Sequence, residues 1–285
     1  MLTIYIVHYR RLDKLKKTIE HIKKNTTVNH SVKILNNGYI NESIKEYLEE
    51  LNSNDNYEII YSSENIGASR GRAKLVEGIE TPFLMSLDDD MYLQPGWCEP
   101  IFKMFAKHSD VGAMGCILTE DVNSNEKKWK VCGRNFNIKN GVLKMSRPKI
   151  HENVEKYLHV DDLCSGCIVY RKELSSTIKW DPEYFVGFED LQKGIYLMNC
   201  KYKSYISTDS KIIHDKMSDS IKNKEYNKTR RDYKSMRKSY LIFVKKNGLK
   251  FDFKRHIFYK YFCLTPPAIV RFFTYTWLRI KKRIY

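Results

Sequence analysis

Apolar positions in the first ninety residues change period several times. "LTIYIV" (Leu2–Val7) is a short apolar and β-branched run, whereas Leu12, Leu15, Ile19 and Ile22 recur at intervals of three and four. The first reads as a strand and the second as an amphipathic helix over residues 12–24. The alternation continues: "SVKILNNG" (Ser31–Gly38) predicts a strand, Ile44, Tyr47, Leu48 and Leu51 predict a helix, and "YEIIYSS" (Tyr57–Ser63) predicts a third strand. "ENIGASRGRAKLVEGI" then predicts a turn into a helix, and "PFLMSL" a fourth strand. Strands alternating with helices build βαβ units, hence an α/β fold with a mostly parallel sheet and helices on both faces. Ligands of such sheets gather beyond the carboxyl ends of the strands. Asn36, Asn37, Asn65 and the run Asp88-Asp89-Asp90 all fall there.

Beyond residue 95 the pattern is less regular. "VGAMGCIL" (Val111–Leu118) and "CIVYR" (Cys167–Arg171) predict further strands, and the mixed polar stretch 120–160 predicts a meander or an excursion over the site. From about Glu225 the chain changes character. Tyr233, Met236, Tyr240 and Phe243 form an apolar stripe between Lys and Arg, and the end, "YFCLTPPAIVRFFTYTWLRIKKRIY", is aromatic and basic together. Charge divides at the same place: residues 221–285 hold 19 Lys and Arg against 3 Asp and Glu, so the net charge of +16 belongs to this region and the first 220 residues are neutral. The expected organisation is one domain over residues 1–220 and a basic, aromatic, helical extension over 221–285. The seven cysteines are scattered and odd in number, and the N-terminus lacks the order of a secretory signal. Both point to a reducing, cytoplasmic setting.

Three carboxylates in a row after an apolar strand repel one another unless a positive charge lies between them. Side chains alternate along a strand, so Asp88 and Asp90 are expected on one side. Paired carboxylates suit Mg²⁺ or Mn²⁺ carrying a diphosphate, the alternative being a solvated acidic turn. A second acidic pair, Glu189-Asp190, opens a predicted helix after the loop residues Phe185, Gly187 and Phe188. Such pairs also arise because the helix dipole favours them. A partly buried loop, however, can raise the pKa of Asp190 towards the range of a general base. His214 ends the strand-like "STDSKIIH" and is either a satisfied structural residue or a metal ligand. Arg70, Arg72 and Lys74 lie in a Gly-bearing turn that is neither GxGxxG nor a P-loop, and they either approach phosphates or form an exposed helix face. Cys164 and Cys167 make a CxxC without a second pair, read as small residues flanking Ser165-Gly166 rather than as a metal or redox site.

Taken in order, "NIGASRGRA", "FLMSLDDDMYLQPGW", "CSGCIVYRKEL", "WDPEYFVGFEDLQ" and "SKIIH" resemble the motifs of the inverting GT-A glycosyltransferases of family 2, over residues 2–216. The resemblance implies a Rossmann-like GT-A domain with a nucleotide-binding half at 1–95 and an acceptor half at 96–220. It implies a nucleotide-sugar donor, with a UDP-sugar the first expectation, and a Mn²⁺ or Mg²⁺ cofactor. Asp190 is then the base that deprotonates the acceptor hydroxyl, and Glu189 places the acceptor or the loop. Asp88 contacts the ribose or donor sugar within a donor set of Asn36, Asn37, Asn65, Arg72, Asp88, Asp89 and Gly166. Asp90 ligates the metal with His214 beside it, Arg72 sits near the diphosphate or base, and Gly166 lets backbone approach the sugar. Two departures stand out: "VHYR" (Val7–Arg10) replaces a Pro-Thr-Tyr-Asn ending, and "NNGY" replaces an aspartate-rich turn. An Asn carbonyl still accepts from a uracil N–H, without the charge.

The expected acceptor is a saccharide or lipid-linked hydroxyl in cell-surface glycan synthesis, with a protein or peptide acceptor open. A nucleotidyltransferase lacks support because "IVHYRRLDK" has no glycines. A nucleic-acid-binding protein acting through the basic tail leaves the neutral body and its acidic motifs unexplained, so no nucleic-acid partner is expected. For the tail the expectation is an interfacial segment held by anionic lipid at the inner membrane face, with self-association into a homo-oligomer as the other reading.

Overall fold

The computed structural model describes residues 1–124, 126–150, 156–215 and 232–250. β1 (Leu2–His8), α1 (Leu12–Asn25), β2 (His30–Asn37), α2 (Glu42–Asn52), β3 (Tyr57–Ser62), α3 (Ala68–Val76) and β4 (Phe83–Leu87) follow the alternation read from the sequence. β1 pairs in parallel with β2 and β4, and β2 with β3. Helices cover both faces of these strands, so β1 is a nearly continuous apolar run. Helix α1 buries Leu15, Ile19 and Ile22 against it.

Past β4 come β5 (Met91–Leu93), α4 (Cys98–Lys107), β6 (Val111–Thr119), β7 (Lys130–Val131), β8 (Gly133–Lys139), β9 (Val142–Ser146), β10 (Tyr157–His159) and β11 (Asp162–Leu163). β12 (Cys167–Arg171), α5 (Ser175–Ile178), α6 (Glu189–Met198), β13 (Lys203–His214) and α7 (Tyr233–Lys246) complete the described chain. The main sheet runs β10-β13-β6-β12-β4-β1-β2-β3, with β5 added on β13 and β7 on β6. Strand β12 is antiparallel to both β4 and β6, which joins the later strands to the parallel part of the sheet. The excursion expected at 120–160 contains a hairpin, β8–β9, which pairs with β11 as a small second sheet. Its turn residues Asn140 and Gly141 have φ of 52° and 74°, the backbone that an Asn-Gly hairpin turn requires.

Helix α7 carries the apolar stripe of Tyr233, Met236, Tyr240 and Phe243 read from the sequence. In the structure that stripe is covered by protein: Tyr240 and Phe243 are buried with Leu143, Tyr184, Phe188, Leu191 and Ile195. Lys234, Arg237, Lys238 and Lys245 face outward. No helix among the described residues is long and apolar enough to cross a membrane. The terminal aromatic-basic segment lies outside the described residues.

Candidate active site

The strand order puts Asp88, Asp89 and Asp90 between β4 and β5 in a tight turn closed by the Met91 amide donating to the Asp88 carbonyl at 3.2 Å. A turn abolishes the strand alternation: Asp88 faces Arg72, whereas Asp89 and Asp90 converge on Arg11. Asp88 accepts from Arg72 Nη2 of α3 at 2.7 Å. Asp89 is buried, with Oδ2 2.8 Å from His8 Nδ1 and Oδ1 against the Arg11 guanidinium. Asp90 accepts from Arg11 Nη1 at 2.6 Å and lies 3.6 Å from His214 Nε2. The positive charge among the aspartates is therefore supplied in large part by the protein itself. Asp89, expected in the donor set, is turned into the interior and engaged on both oxygens, where it holds the turn.

Helix α1 anchors this turn through a second stripe that hydrophobic periodicity does not register. Arg11, Lys14, Thr18, His21 and Asn25 recur at intervals of three and four. Lys14 bonds the Asp215 carbonyl, Thr18 Oγ1 donates to the Asp89 carbonyl at 3.0 Å, and His21 Nδ1 lies 2.9 Å from the Leu93 carbonyl. Asn25 Nδ2 donates to that same carbonyl at 2.7 Å. Antiparallel pairing of β13 with β5, His214 opposite Met91, brings His214 to the turn from more than a hundred residues away. Burial raises the Asp90 carboxyl's pKa, but His214, Arg11 and Lys14 outweigh it and hold the group well below its usual range. Burial likewise opposes charge on His214, yet Asp90 keeps the imidazole's pKa above its ordinary value.

Across from Asp88, α6 begins with Glu189 and Asp190. Arg72 joins the two sides. Its buried guanidinium, 5.0 Å from the Trp180 ring centre, has its pKa raised by Asp88, Asp190 and Glu189 despite the opposing effect of burial. The expectation of a raised pKa at Asp190 is corrected by the structure. Burial does push it up, but Lys193, Arg72 and Arg134 prevail and hold the carboxyl below its usual range. Lys193, buried one turn along α6, lies 3.2 Å from Asp162, which also accepts from Arg134 Nε at 2.7 Å. Sequence reading missed this buried set, since none of its members belongs to a recognisable motif.

Asn37 Nδ2 donates to Asn65 Oδ1 at 3.0 Å, and Asn37 Oδ1 accepts from the Ile66 amide at 3.0 Å. These amides tie the end of β2 to the turn before α3. Asn36 is buried beside them, with an Oδ1 that has no hydrogen-bond partner among the described residues. Gly166 stands against Asp88. Its carbonyl accepts from the Asp88 amide at 2.9 Å, and a Cβ there would lie 2.3 Å from Asp88 Oδ2. The bare backbone thus makes room for the Asp88 carboxylate. Cys164 and Cys167 flank this loop as free thiols.

Among the described residues no three His, Cys, Asp or Glu side chains gather into a metal cage. The oxygen and nitrogen donors of Asp90 and His214 nevertheless fit a hard divalent cation completed by phosphate oxygens. Asp90 Oδ1 is buried without a hydrogen-bond partner among the described residues, which leaves one acceptor for such an ion.

A mainly parallel sheet with acidic groups from both halves at its carboxyl edge defines a GT-A glycosyltransferase domain. Residues 3–178 match the family described as glycosyl transferase family 2, and the chain belongs to that family. It is 23% identical over 235 residues to the teichoic acid poly(glycerol phosphate) polymerase of Staphylococcus epidermidis, covering 73% of this chain and 32% of the relative. The chain thus spans about a third of that relative's length. Among solved structures it is similar to GalNAc-T7 with UDP, GalNAc and Mn²⁺, at TM-score 0.59 and 13% identity over 75% of this chain and 43% of that one. S. aureus TarS superimposes at TM-score 0.54 and 11% identity, over 90% of this chain and 41% of that one.

Proposed function

We propose that the chain transfers a sugar, with inversion, from a nucleoside diphosphate donor to a hydroxyl of a cell-surface glycan. The observation that carries this reading is Arg72, paired with Asp88 on one side and in the field of Asp190 and Glu189 on the other. Departure of a nucleoside diphosphate concentrates negative charge, and Arg72 stands where it offsets that charge while orienting Asp88. Asp88 takes the ribose or donor sugar. Asp190, on the other side of Arg72, accepts the acceptor's proton, and attack from the face opposite the leaving group inverts the anomeric centre. Glu189 places the acceptor. Asp90 and His214 would hold Mn²⁺ or Mg²⁺, which supplies further charge on the diphosphate. GalNAc-T7, solved with UDP and Mn²⁺, supports this donor and metal class.

The teichoic acid relative favours a phosphate-bearing surface polymer as acceptor. The excess of 19 basic over 3 acidic residues at 221–285 suits such a polyanion, or the anionic lipid surface on which it is made. Titrating the full chain with UDP by calorimetry, with and without Mn²⁺, tests the donor site. Binding should need the ion and should be lost in Asp90→Asn while the circular dichroism spectrum is kept. Equal UDP affinity in excess chelator would overturn the metal assignment, and no binding of any nucleoside diphosphate would overturn the donor class.

A further inference from the structure

The loop that delivers the acidic pair is held from two directions. On the donor side, Ser69 Oγ donates to the Asp181 carbonyl at 2.8 Å and Arg70 Nε to the Pro182 carbonyl at 2.7 Å. Both donors lie on α3, which also carries Arg72. On the far side stands α7. Lys246 Nζ reaches Asp181 Oδ2 at 2.5 Å and Glu183 Oε1 at 2.6 Å. Asn247 Nδ2 donates to Gln192 Oε1 at 2.8 Å, and the same oxygen accepts from Tyr184 OH at 2.9 Å.

The residue just before the acidic pair is strained. Phe188 has a φ of 71°, in the left-handed region that a bulky residue rarely occupies, and it follows Gly187 at 74°. Its ring is lodged between two α7 residues, 5.4 Å from Tyr240 and 5.5 Å from Phe243. A Cβ on Gly187 would lie 2.5 Å from Met236 Sδ of α7, so the backbone itself is pressed against the helix. Such strain persists only where the surroundings overdetermine it. Here the surroundings come from a helix some fifty residues further along the chain.

We infer that α7 is a positioning element for the reaction: its aromatic face locks Phe188 in the left-handed conformation and thereby aims Asp190 at the acceptor. The inference rests on the assignment of Asp190 as base. It makes the start of the basic C-terminal region part of the transferase machinery.

The test is a double-mutant cycle on the full chain, using Phe243→Ala and Asp190→Asn, with UDP affinity and kcat measured for each. Misplacing a reacting group by about 1 Å can cost on the order of 10²-fold. Phe243→Ala should lower kcat by roughly 10- to 100-fold with UDP affinity unchanged, and should cost little further in the Asp190→Asn background. Lys246→Met, at the rim of the same contact, serves if Phe243→Ala fails to fold, and should show a smaller loss with the same non-additivity. Unchanged kcat, or a full multiplicative loss in the Asp190→Asn background, overturns the positioning role. Wild-type turnover by Asp190→Asn alone is a different failure, since it removes the base assignment before α7 is considered.

Discussion

The two acidic clusters that flank Arg72 are built by opposite means. Asp88–Asp90 is compensated by distant groups: His8, Arg11 and Lys14 from the start of the chain, Arg72 from α3, and His214 from the end of β13. Glu189-Asp190 relies first on a local cation, Lys193 of the same helix, and borrows Arg72 and Arg134 from elsewhere. The first arrangement freezes three carboxylates in one geometry, as a binding site for a charged group requires. The second leaves Asp190 partly accessible and anchored through a strained loop, so its position depends on how that loop is held.

The largest expected effect falls on the second cluster. Asp190→Asn removes a proton acceptor while preserving shape, and loss of a general base costs roughly 10²–10⁴-fold in rate. UDP affinity should stay near that of the wild type, whereas Glu189→Gln should raise the acceptor KM more than it lowers kcat. A silent Asp190→Asn with a dead Glu189→Gln would exchange the two roles.

The first cluster should separate stability from binding. Asp89→Ala takes the carboxylate away from buried His8 and leaves Arg11 to Asp90 and its other contacts, and loss of one partner of a buried pair costs up to about 3–5 kcal/mol, measurable by urea unfolding. Asp88→Ala, at a partly exposed carboxylate, should unfold near the wild-type midpoint yet lose donor binding. If the two variants are equally stable, the contrast between a buried anchor and a working carboxylate is wrong.

The pH profile probes the sign of the shift at Asp190. A base whose pKa is lowered stays ionised above that value, so activity is lost only as pH falls through it. The acid limb of kcat/KM should lie below the ordinary carboxylate range. A limb near neutrality would move the base to another group. The smallest expected effect on catalysis comes from truncation after Lys250, which keeps α7. Transfer to a short soluble acceptor should change by less than about twofold, while salt-sensitive binding to anionic vesicles should weaken. Truncation after Ser220 would remove α7 as well, and so could not distinguish tail from site.

Much of the donor side was legible because its information is local. From Leu2 to Leu87, strands β1, β2 and β4 are buried on both faces, the edge strand β3 is only half-buried, and each helix is buried on one face, so hydrophobic period largely separates them. The acidic run, the Glu189-Asp190 pair and His214 could be picked out by residue type and by their place after apolar runs. Other signals were present but unread: Asn140-Gly141 marks the β8–β9 hairpin, Cys98, Ile101 and Phe105 mark α4, and Arg11, Lys14, Thr18, His21 and Asn25 mark a polar face on α1.

The sequence by itself determined the α/β alternation, the carboxyl-edge position of the candidate groups and the separation of charge between body and tail. These follow from side-chain period and composition, which need no partner to be read. Only the tertiary structure decided that Asp89 turns inward, that Gly166 yields its space to Asp88, that Asp190 is held below rather than above its usual pKa, and that α7 packs on Phe188 and the start of α6. Each of those depends on which distant cation or ring stands within a few ångströms. Electrostatic and packing energies fall off over that distance, while the order of residues along the chain does not record it.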